Sequence, residues 1–126
     1  MEMTLARLIP FHIHAALETA LAPVLIVAPF VLGFDAGPMV ASVVLGVTMM
    51  GTALATGAGL ADGSRQQPPV RVSAHAGLDR GFSGATATCA IAFGLAGEPM
   101  AAGFFGVIAI AHSLLALTTR YTTARV

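Results

Sequence analysis

The chain has 126 residues, of which 56% are hydrophobic and 10% are charged, and its formal net charge is zero. Because soluble domains carry about 25% charged residues, this composition excludes an ordinary water-soluble fold and indicates an integral membrane protein. A protein that binds nucleic acid needs a basic surface to neutralise phosphates, so the zero net charge argues against nucleic acid as a partner.

Four apolar runs follow one another along the chain, each near the ~20 residues that a helix needs to cross a bilayer. They cover Ala15 to Phe34, Pro38 to Leu60, Gly81 to Ala96 and Pro99 to Thr119. Lipid offers no hydrogen bonds to the backbone, and the runs lack the alternation of a transmembrane barrel. The sequence therefore predicts an all-α fold, an integral membrane four-helix bundle, with residues 1–126 as one membrane domain.

The first run contains Pro23 and Pro29. Proline inside a helix removes an amide donor and pushes against the preceding turn. We therefore expect the first helix to bend at these two positions.

Residues 61–73 are rich in Asp, Gly, Ser, Gln and Pro and are predicted to form a linker, with Ser73 as the N-cap of the third helix. All basic residues fall on the linker side of this topology. They are Arg7, Arg65, Arg71, Arg80, Arg120 and Arg125. By the positive-inside rule, the linker and both termini face the cytoplasm of a bacterial inner membrane.

Residues 12–57 and 73–118 are two copies of one pattern at a shift of 61 positions. The matched pairs include His14 with His75, Glu18 with Asp79, Gly33 with Gly94, and Pro38 with Pro99. Glycine and proline fix turns and helix starts. The repeat therefore predicts two tandem, parallel helical hairpins of the same shape.

Small residues recur within the predicted spans and indicate close helix packing, either within the chain or between copies. The candidate packing positions are Gly46, Gly51, Gly77, Gly81, Gly84, Gly103 and Gly106. They favour a homo-oligomer or an assembly with other membrane subunits, with the lipid bilayer as a further partner.

Two pairs of ionisable residues stand out, His14 with Glu18 and His75 with Asp79. A spacing of four places each histidine on the same helix face as its acid. His112 is expected at similar depth on the fourth helix. Because ionisable groups in a membrane tend to pair with one another, we predict that these five residues form one cluster at the cytoplasmic end.

Three functions fit such a cluster. The histidines could ligate a metal, a haem or a bacteriochlorophyll-type pigment, with His12 beside His14 as an additional imidazole, although the sequence selects no cofactor or metal. The acids could carry protons for a proton-coupled solute transporter. The cluster could also be purely structural, and the sequence favours this third function, a structural or accessory subunit of a membrane assembly.

Enzyme activity is not expected. The sequence has no nucleophile-elbow motif and no phosphate-binding loop, and Cys89 is the single cysteine. A lone cysteine within an apolar run is typical of a small packed residue.

The segment from Ala28 to Phe34, with Pro29 at its second position and Gly33 near its end, resembles the bacterial membrane proteins with SPW repeats. In that family a Ser-Pro-Trp motif ends the first span of a two-helix unit. Here Ala28 and Phe30 stand in place of the serine and tryptophan. The resemblance implies a small multi-span membrane protein and supplies no catalytic residues.

Overall fold

A computed structural model describes residues 8–61 and 70–121. These residues form four helices and two short strands in chain order. The elements are β1 (Ile9–Pro10), α1 (Phe11–Val31), α2 (Ala36–Ala61), α3 (Val72–Leu95), α4 (Pro99–Thr118) and β2 (Thr119–Arg120). Most of the predicted linker, residues 62–69, lies outside the described residues, as do Arg7, Arg65 and Arg125.

Three of these four helices have the length and apolar composition that the sequence predicts for membrane spans. Among the described residues, α1, the Ala36–Thr56 part of α2, and α4 are long and apolar enough to cross a membrane. The 24-residue α3 does not meet the same criterion. It carries more polar side chains, among them Asp79 and Arg80, so a fourth span stays a prediction.

Large apolar side chains cover the outer faces of the helices. Val31 is 79% exposed, Leu95 is 85% exposed and Val107 is 67% exposed. Monomeric soluble proteins rarely expose extended apolar surface, so these faces suit contact with lipid.

The helices pack mainly as two hairpins, α1 against α2 and α3 against α4, with a smaller contact between α2 and α3. The apolar core between them contains Ala22, Leu25, Met49 and Ile108. The core therefore draws on both hairpins.

The helices α1 and α2 approach each other closely at Gly46. A Cβ atom added there would lie 2.7 Å from Cγ1 of Ile26 and 3.0 Å from the carbonyl oxygen of Ala22. A larger residue would push the two helices apart, which is the role that small residues have in membrane helix packing.

The remaining predicted packing glycines lie in more open surroundings. An added Cβ would meet no described atom within 4 Å at Gly51, Gly77, Gly81, Gly84 and Gly103, and at Gly106 only Ala90 at 4.0 Å. Within the described part of the chain these glycines are therefore not points of tight helix contact. Their use in contacts between copies stays a prediction.

Each hairpin turns at a glycine with positive φ, Gly33 at 67° and Gly97 at 81°. This left-handed conformation is the common way to end a helix and favours glycine. The gap predicted between the third and fourth apolar runs, after Ala96 and before Pro99, contains this second turn. Gly94, which the repeat aligns with Gly33, stays helical inside α3, because α3 continues to Leu95 before the chain turns.

The two hairpin turns lie at the same end of the molecule, where Gly33, Asp35, Gly97 and Glu98 border one shallow depression. At the opposite end, β1 pairs in parallel with β2, with Ile9 opposite Thr119. This pairing brings the start of α1 next to the end of α4.

Two local predictions about helices have different outcomes. The helix α1 is continuous from Phe11 to Val31 through Pro23 and Pro29, with Pro23 exposed and Pro29 buried. Its predicted bend stays a prediction.

The prediction of Ser73 as the N-cap of α3 was wrong, since α3 begins at Val72 after Arg71 and has no side-chain cap.

Candidate metal centre

The five ionisable residues singled out in the sequence meet at one buried point, at the end opposite the hairpin turns. The His/acid cluster consists of His14 and Glu18 from α1, His75 and Asp79 from α3, and His112 from α4, each no more than 3% exposed. The spacing of four residues puts each histidine and acid on the inner face of its helix. Packing of the hairpins then brings the two faces together.

Glu18 lies among the inner nitrogens of all three histidines. Its Oε2 is 2.8 Å from Nε2 of His75, and its Oε1 is 2.9 Å from Nε2 of His112. The histidine on its own helix, His14, is farther away, with Nε2 at 3.3 Å from Oε1. The shortest contacts of Glu18 therefore run between helices.

Asp79 shows the same crossed arrangement. Its Oδ2 is 3.0 Å from Nε2 of His14 in α1, whereas its Oδ1 is 3.3 Å from Nε2 of His75 on its own helix and 3.7 Å from Nε2 of His112. The two His/acid pairs are thus interlocked, and each acid bridges the two halves of the chain.

The outer nitrogens of His14 and His75 each contact a buried threonine. Nδ1 of His14 is 2.8 Å from Oγ1 of Thr119, and Nδ1 of His75 is 2.8 Å from Oγ1 of Thr56. Each threonine hydroxyl donates its proton to the backbone carbonyl four residues earlier, at 2.6 Å and 2.8 Å respectively. Because the hydroxyl hydrogen is used in this way, the hydroxyl oxygen can only accept a hydrogen bond from the ring, and Nδ1 carries the hydrogen. Nε2 then faces the acids with a lone pair in the neutral ring or with a second proton in the charged ring.

His112 has a different environment. Its Nδ1 is 2.9 Å from Oγ of Ser83, and its Nε2 is 2.9 Å from Glu18. The ring packs against Phe82 with centroids 4.6 Å apart. With the serine hydroxyl donating to Nδ1, Nε2–H donates to Glu18 and holds that carboxylate in place.

Tyr121, just after β2, adds a donor from outside the helices. Its hydroxyl donates to Oδ2 of Asp79 at 2.5 Å. Burial and the adjacent carboxylate of Asp79 both raise the pKa of Tyr121. The phenol therefore stays protonated and able to donate at neutral pH.

Phe11 covers the cluster on the side where Tyr121 lies. This residue is buried, and its ring centroid lies 5.7 Å from that of His14, 5.1 Å from that of His75 and 6.1 Å from that of Tyr121. An aromatic cover of this kind limits access of water from the end of the helices.

One nitrogen in the cluster lacks a hydrogen bond. Nε2 of His14 is buried and lies 3.0 Å from Oδ2 of Asp79 and 3.3 Å from Oε1 of Glu18, but neither contact has the geometry of a hydrogen bond. Buried polar atoms are normally satisfied, so an exception calls for an explanation such as a bound ion.

The cluster has the donor set and size of a metal site. One ligand atom from each of His14, Glu18, His75 and Asp79 can be chosen so that all four lie within 4.8 Å of one another. Zinc–nitrogen and zinc–oxygen bonds are about 2.0–2.2 Å long. In the tetrahedral arrangement usual for zinc, ligand atoms on one ion are then about 3.3–3.6 Å apart, so the most widely separated atoms of the cluster would move closer together on binding an ion.

An apolar cleft of about 290 Å³ between α2 and α3 reaches the two acids. Glu18 and Asp79 lie on its lining, and Leu45, Met49 and Phe82 contribute apolar wall. The cluster is therefore covered by Phe11 at the end of the helices and accessible from the side.

Sequence reasoning also misplaced one residue and missed others. His12, considered as a companion to His14, is exposed, because residues two apart point to different helix faces. The missed residues are Phe11, Thr56, Ser83, Thr119 and Tyr121. Thr56, Ser83 and Thr119 come from helices or strands other than that of the histidine that they contact, and Tyr121 follows β2, far along the chain from Asp79. No local pattern reveals such pairs.

No family model matches the chain, and neither a curated protein nor a solved structure is significantly similar to it. The resemblance to SPW-repeat proteins therefore stays a prediction. Function has to be argued from the geometry of the cluster.

Proposed function

We propose that this chain is a small integral membrane protein that binds one divalent first-row transition metal ion through His14, Glu18, His75 and Asp79. The observation that carries this proposal is the unsatisfied Nε2 of His14, buried beside two carboxylates and a second imidazole nitrogen. A cation at this point would accept the lone pair of that nitrogen and would bind a carboxylate oxygen from each of the two acids.

Charge balance supports a divalent ion. Two carboxylates of Glu18 and Asp79 buried in an apolar molecule are costly unless positive charge compensates them. A dication bound by both acids and two neutral imidazoles gives a net charge of zero. Imidazole together with carboxylate oxygen suits metals such as zinc or iron(II).

The hydroxyl contacts support neutral imidazole ligands. Metal-bound histidines usually donate their second ring N–H to an outer acceptor, which sets the tautomer and the ring orientation. Thr119 does this for His14 and Thr56 does it for His75. In the same way His112 and Tyr121 would orient Glu18 and Asp79 by hydrogen bonds.

A bare ion fits this geometry better than a haem or a bacteriochlorophyll-type pigment. An axial histidine needs open space for a macrocycle beyond its Nε2 atom. Here each Nε2 in the His/acid cluster has a carboxylate oxygen within 3.3 Å. The space that a macrocycle would need is therefore taken by Glu18 and Asp79.

The membrane part of the proposal is that all four helices cross the bilayer with the His/acid cluster at the cytoplasmic end. The polar groups of α3 are compatible with this, because Thr86 and Thr88 donate to backbone carbonyls of their own helix. Asp79 and His75 are buried. The exposed Arg80 lies two turns from the start of α3, where its side chain can extend toward the membrane surface.

A structural or accessory subunit is the second candidate, and the crossed contacts favour it. Without a metal, protonated histidines would pair with Glu18 and Asp79, so the same residues would join α1, α3 and α4 through hydrogen bonds and ion pairs. Association with further copies or with other membrane subunits belongs to this candidate. Proton-coupled transport, by contrast, predicts solute-dependent proton uptake by vesicles that contain the protein.

Metal analysis of the purified protein separates these candidates. The protein would be isolated from membranes through a tag without histidine, and its zinc, iron, manganese and cobalt content measured by mass spectrometry before and after incubation with each ion. We expect one equivalent per chain, lost in His14→Ala and His75→Ala. The matched control is His12→Ala, which removes an exposed histidine from the same helix and should keep the metal.

Two results would contradict the metal proposal. One is a protein that stays metal-free after incubation while remaining folded by circular dichroism. The other is metal that persists in both His14→Ala and His75→Ala. A metal-free protein whose assembly falls apart in these variants would favour the structural candidate.

A further inference from the structure

The His/acid cluster is less symmetric than the repeat that supplies it. At the shift of 61 residues, His14 matches His75 and Glu18 matches Asp79, but His112 of α4 matches Gly51 of α2. The helix α4 therefore brings a third imidazole to the acids, and α2 brings none from the corresponding position.

The apolar cleft lies on the side of α2. Its lining includes Thr48, Met49 and Thr52, which flank position 51 along the chain, together with Gly77 and Gly81 of α3. Among the described residues that line the cleft there is no imidazole, and the cleft leads from the outer surface of α2 and α3 to Glu18 and Asp79. Two wall positions, Gly77 and Gly81, have no side chain that could close this path.

The polarity of the cleft is concentrated at its inner end. Thr48 and Thr52 are already engaged, since each hydroxyl donates to a backbone carbonyl of α2 at 2.8 Å. The walls at Leu45, Met49 and Phe82 are apolar. An occupant would thus find hydrocarbon surroundings along the wall and one polar point of attachment beside the acids.

We propose that the metal ion has an open coordination position toward this cleft, and that the cleft binds a neutral, membrane-soluble molecule whose single oxygen donor coordinates the ion. The inference rests on the proposed metal site. An ion held by His14, Glu18, His75 and Asp79 has four protein ligands; zinc usually stops at four, whereas iron(II) and other first-row metals accept a fifth or sixth. The fifth direction is the one that the cleft leaves free.

Charge and volume select the class of ligand. A dication with two carboxylates is neutral, so the site offers no net attraction to an anion, and an apolar wall disfavours a cation. The volume of about 290 Å³ is at the lower end of the range for small-molecule sites. A small lipophilic alcohol, phenol or ketone has the required donor, neutrality and apolar body.

Cobalt(II) provides a direct readout, because its visible absorption bands change with the number and kind of its ligands. The cobalt-loaded protein would be titrated in detergent with 1-octanol, and with octane as the matched molecule without an oxygen donor. We expect a saturable change of the bands with 1-octanol and none with octane. Cobalt content is measured in the same samples.

Substitutions that fill the cleft test whether 1-octanol reaches the metal through it. Gly81→Leu places a side chain into the lining, where an added Cβ meets no described atom within 4 Å, and Ala85→Leu narrows the same wall. Both should raise the half-saturating concentration of 1-octanol about tenfold, equivalent to ~1.4 kcal/mol, with cobalt retained. Gly103→Leu, on α4 and outside the cleft, is the control and should behave as the unchanged protein.

The possible results separate the two proposals. Bound cobalt with no response to 1-octanol overturns the open position and leaves the metal site standing. If the cobalt bands respond to the same concentration of 1-octanol in both Gly81→Leu and Ala85→Leu, the proposal that the molecule binds in the cleft is wrong. A folded protein that binds no cobalt overturns both the metal site and this inference.

Discussion

Nε2 of His14 in α1 lies 3.0 Å from Oδ2 of Asp79 in α3, and both side chains are almost fully buried. This contact joins residues from the two halves of the chain, whereas the partner that the sequence assigned to each lies on its own helix at 3.3 Å. The His/acid cluster is therefore a tertiary structure in which each half completes the site of the other.

Removing the charge of Asp79 should affect both metal binding and stability. Asp79→Asn keeps the size of the side chain but removes an anionic ligand and places amide hydrogens toward Nε2 of His14 or the Tyr121 hydroxyl. We expect loss of the bound metal and a fall of about 3 kcal/mol in stability, typical of breaking a buried charged pair. Thermal unfolding and metal content measure the two effects.

The control for this change is Asp35→Asn, which alters an exposed acid in the first hairpin turn. It should change stability by less than ~0.5 kcal/mol, as most surface substitutions do. Equal effects of the two variants would mean that Asp79 has no special role in the cluster.

The two threonine hydroxyls should tune the metal site without forming it. Thr56→Val and Thr119→Val remove the acceptors for Nδ1 of His75 and His14 while preserving the shape of the side chain. Loss of such an outer partner typically weakens metal affinity about 10–100-fold. Competition with a chromophoric chelator measures the affinity.

Thr88→Val is the matched control, because Thr88 is exposed and its hydroxyl donates only to the carbonyl of Gly84 among the described residues. Its metal affinity should equal that of the unchanged protein. Unchanged affinity in both Thr56→Val and Thr119→Val would argue against neutral imidazole ligands held by these hydroxyls.

Gly46 and Gly103 should respond in opposite ways to alanine. In a helix, alanine is favoured over glycine by about 1 kcal/mol, so Gly103→Ala, which has open space around it, should stabilise the protein. At Gly46 the added Cβ meets Leu25 at 2.9 Å and Ile26 at 2.7 Å. Overpacking of this kind costs about 1–3 kcal/mol, so Gly46→Ala should destabilise it.

Unfolding in a series of denaturing detergent mixtures compares these two variants directly. A Gly46→Ala protein as stable as Gly103→Ala would show that α1 and α2 can separate at this contact without loss of stability, and would count against close packing at Gly46.

Tyr121 should resist ionisation in the folded protein. It is the only tyrosine, and the chain has no tryptophan, so tyrosinate absorbance near 295 nm reports this residue alone. An unperturbed phenol titrates near pH 10, but burial and the Asp79 carboxylate raise the pKa of Tyr121. We expect little tyrosinate at pH 10 until the protein unfolds.

The sign of the resulting pH dependence follows from linkage. Since the folded pKa of Tyr121 lies above the unfolded value, its contribution to stability is complete below about pH 10 and is lost as the pH rises further. Unfolding at several alkaline pH values measures this loss. Normal titration near pH 10 in the folded state would show that the hydroxyl does not donate to Asp79.

Much of the local structure could be predicted from the sequence, because its causes are local. Apolar runs of near-spanning length predict helices, and a spacing of four places His14 with Glu18 and His75 with Asp79 on shared faces. The apolar runs that end at Ala96 and resume at Pro99 also predict the second turn, where Gly97 lies.

The amino-acid sequence by itself determined the all-helical character, the apolar surface and the residue types of the cluster, because composition and helical periodicity act within one segment. Only the tertiary structure decided that Glu18 contacts His75 and His112, that Thr56 and Thr119 orient the imidazoles, and that a cleft beside α2 reaches the acids. These relationships depend on how far each helix is rotated and shifted against its neighbours. Contacts such as Gly46 against Ala22 set that geometry, and they act between residues far apart in the chain.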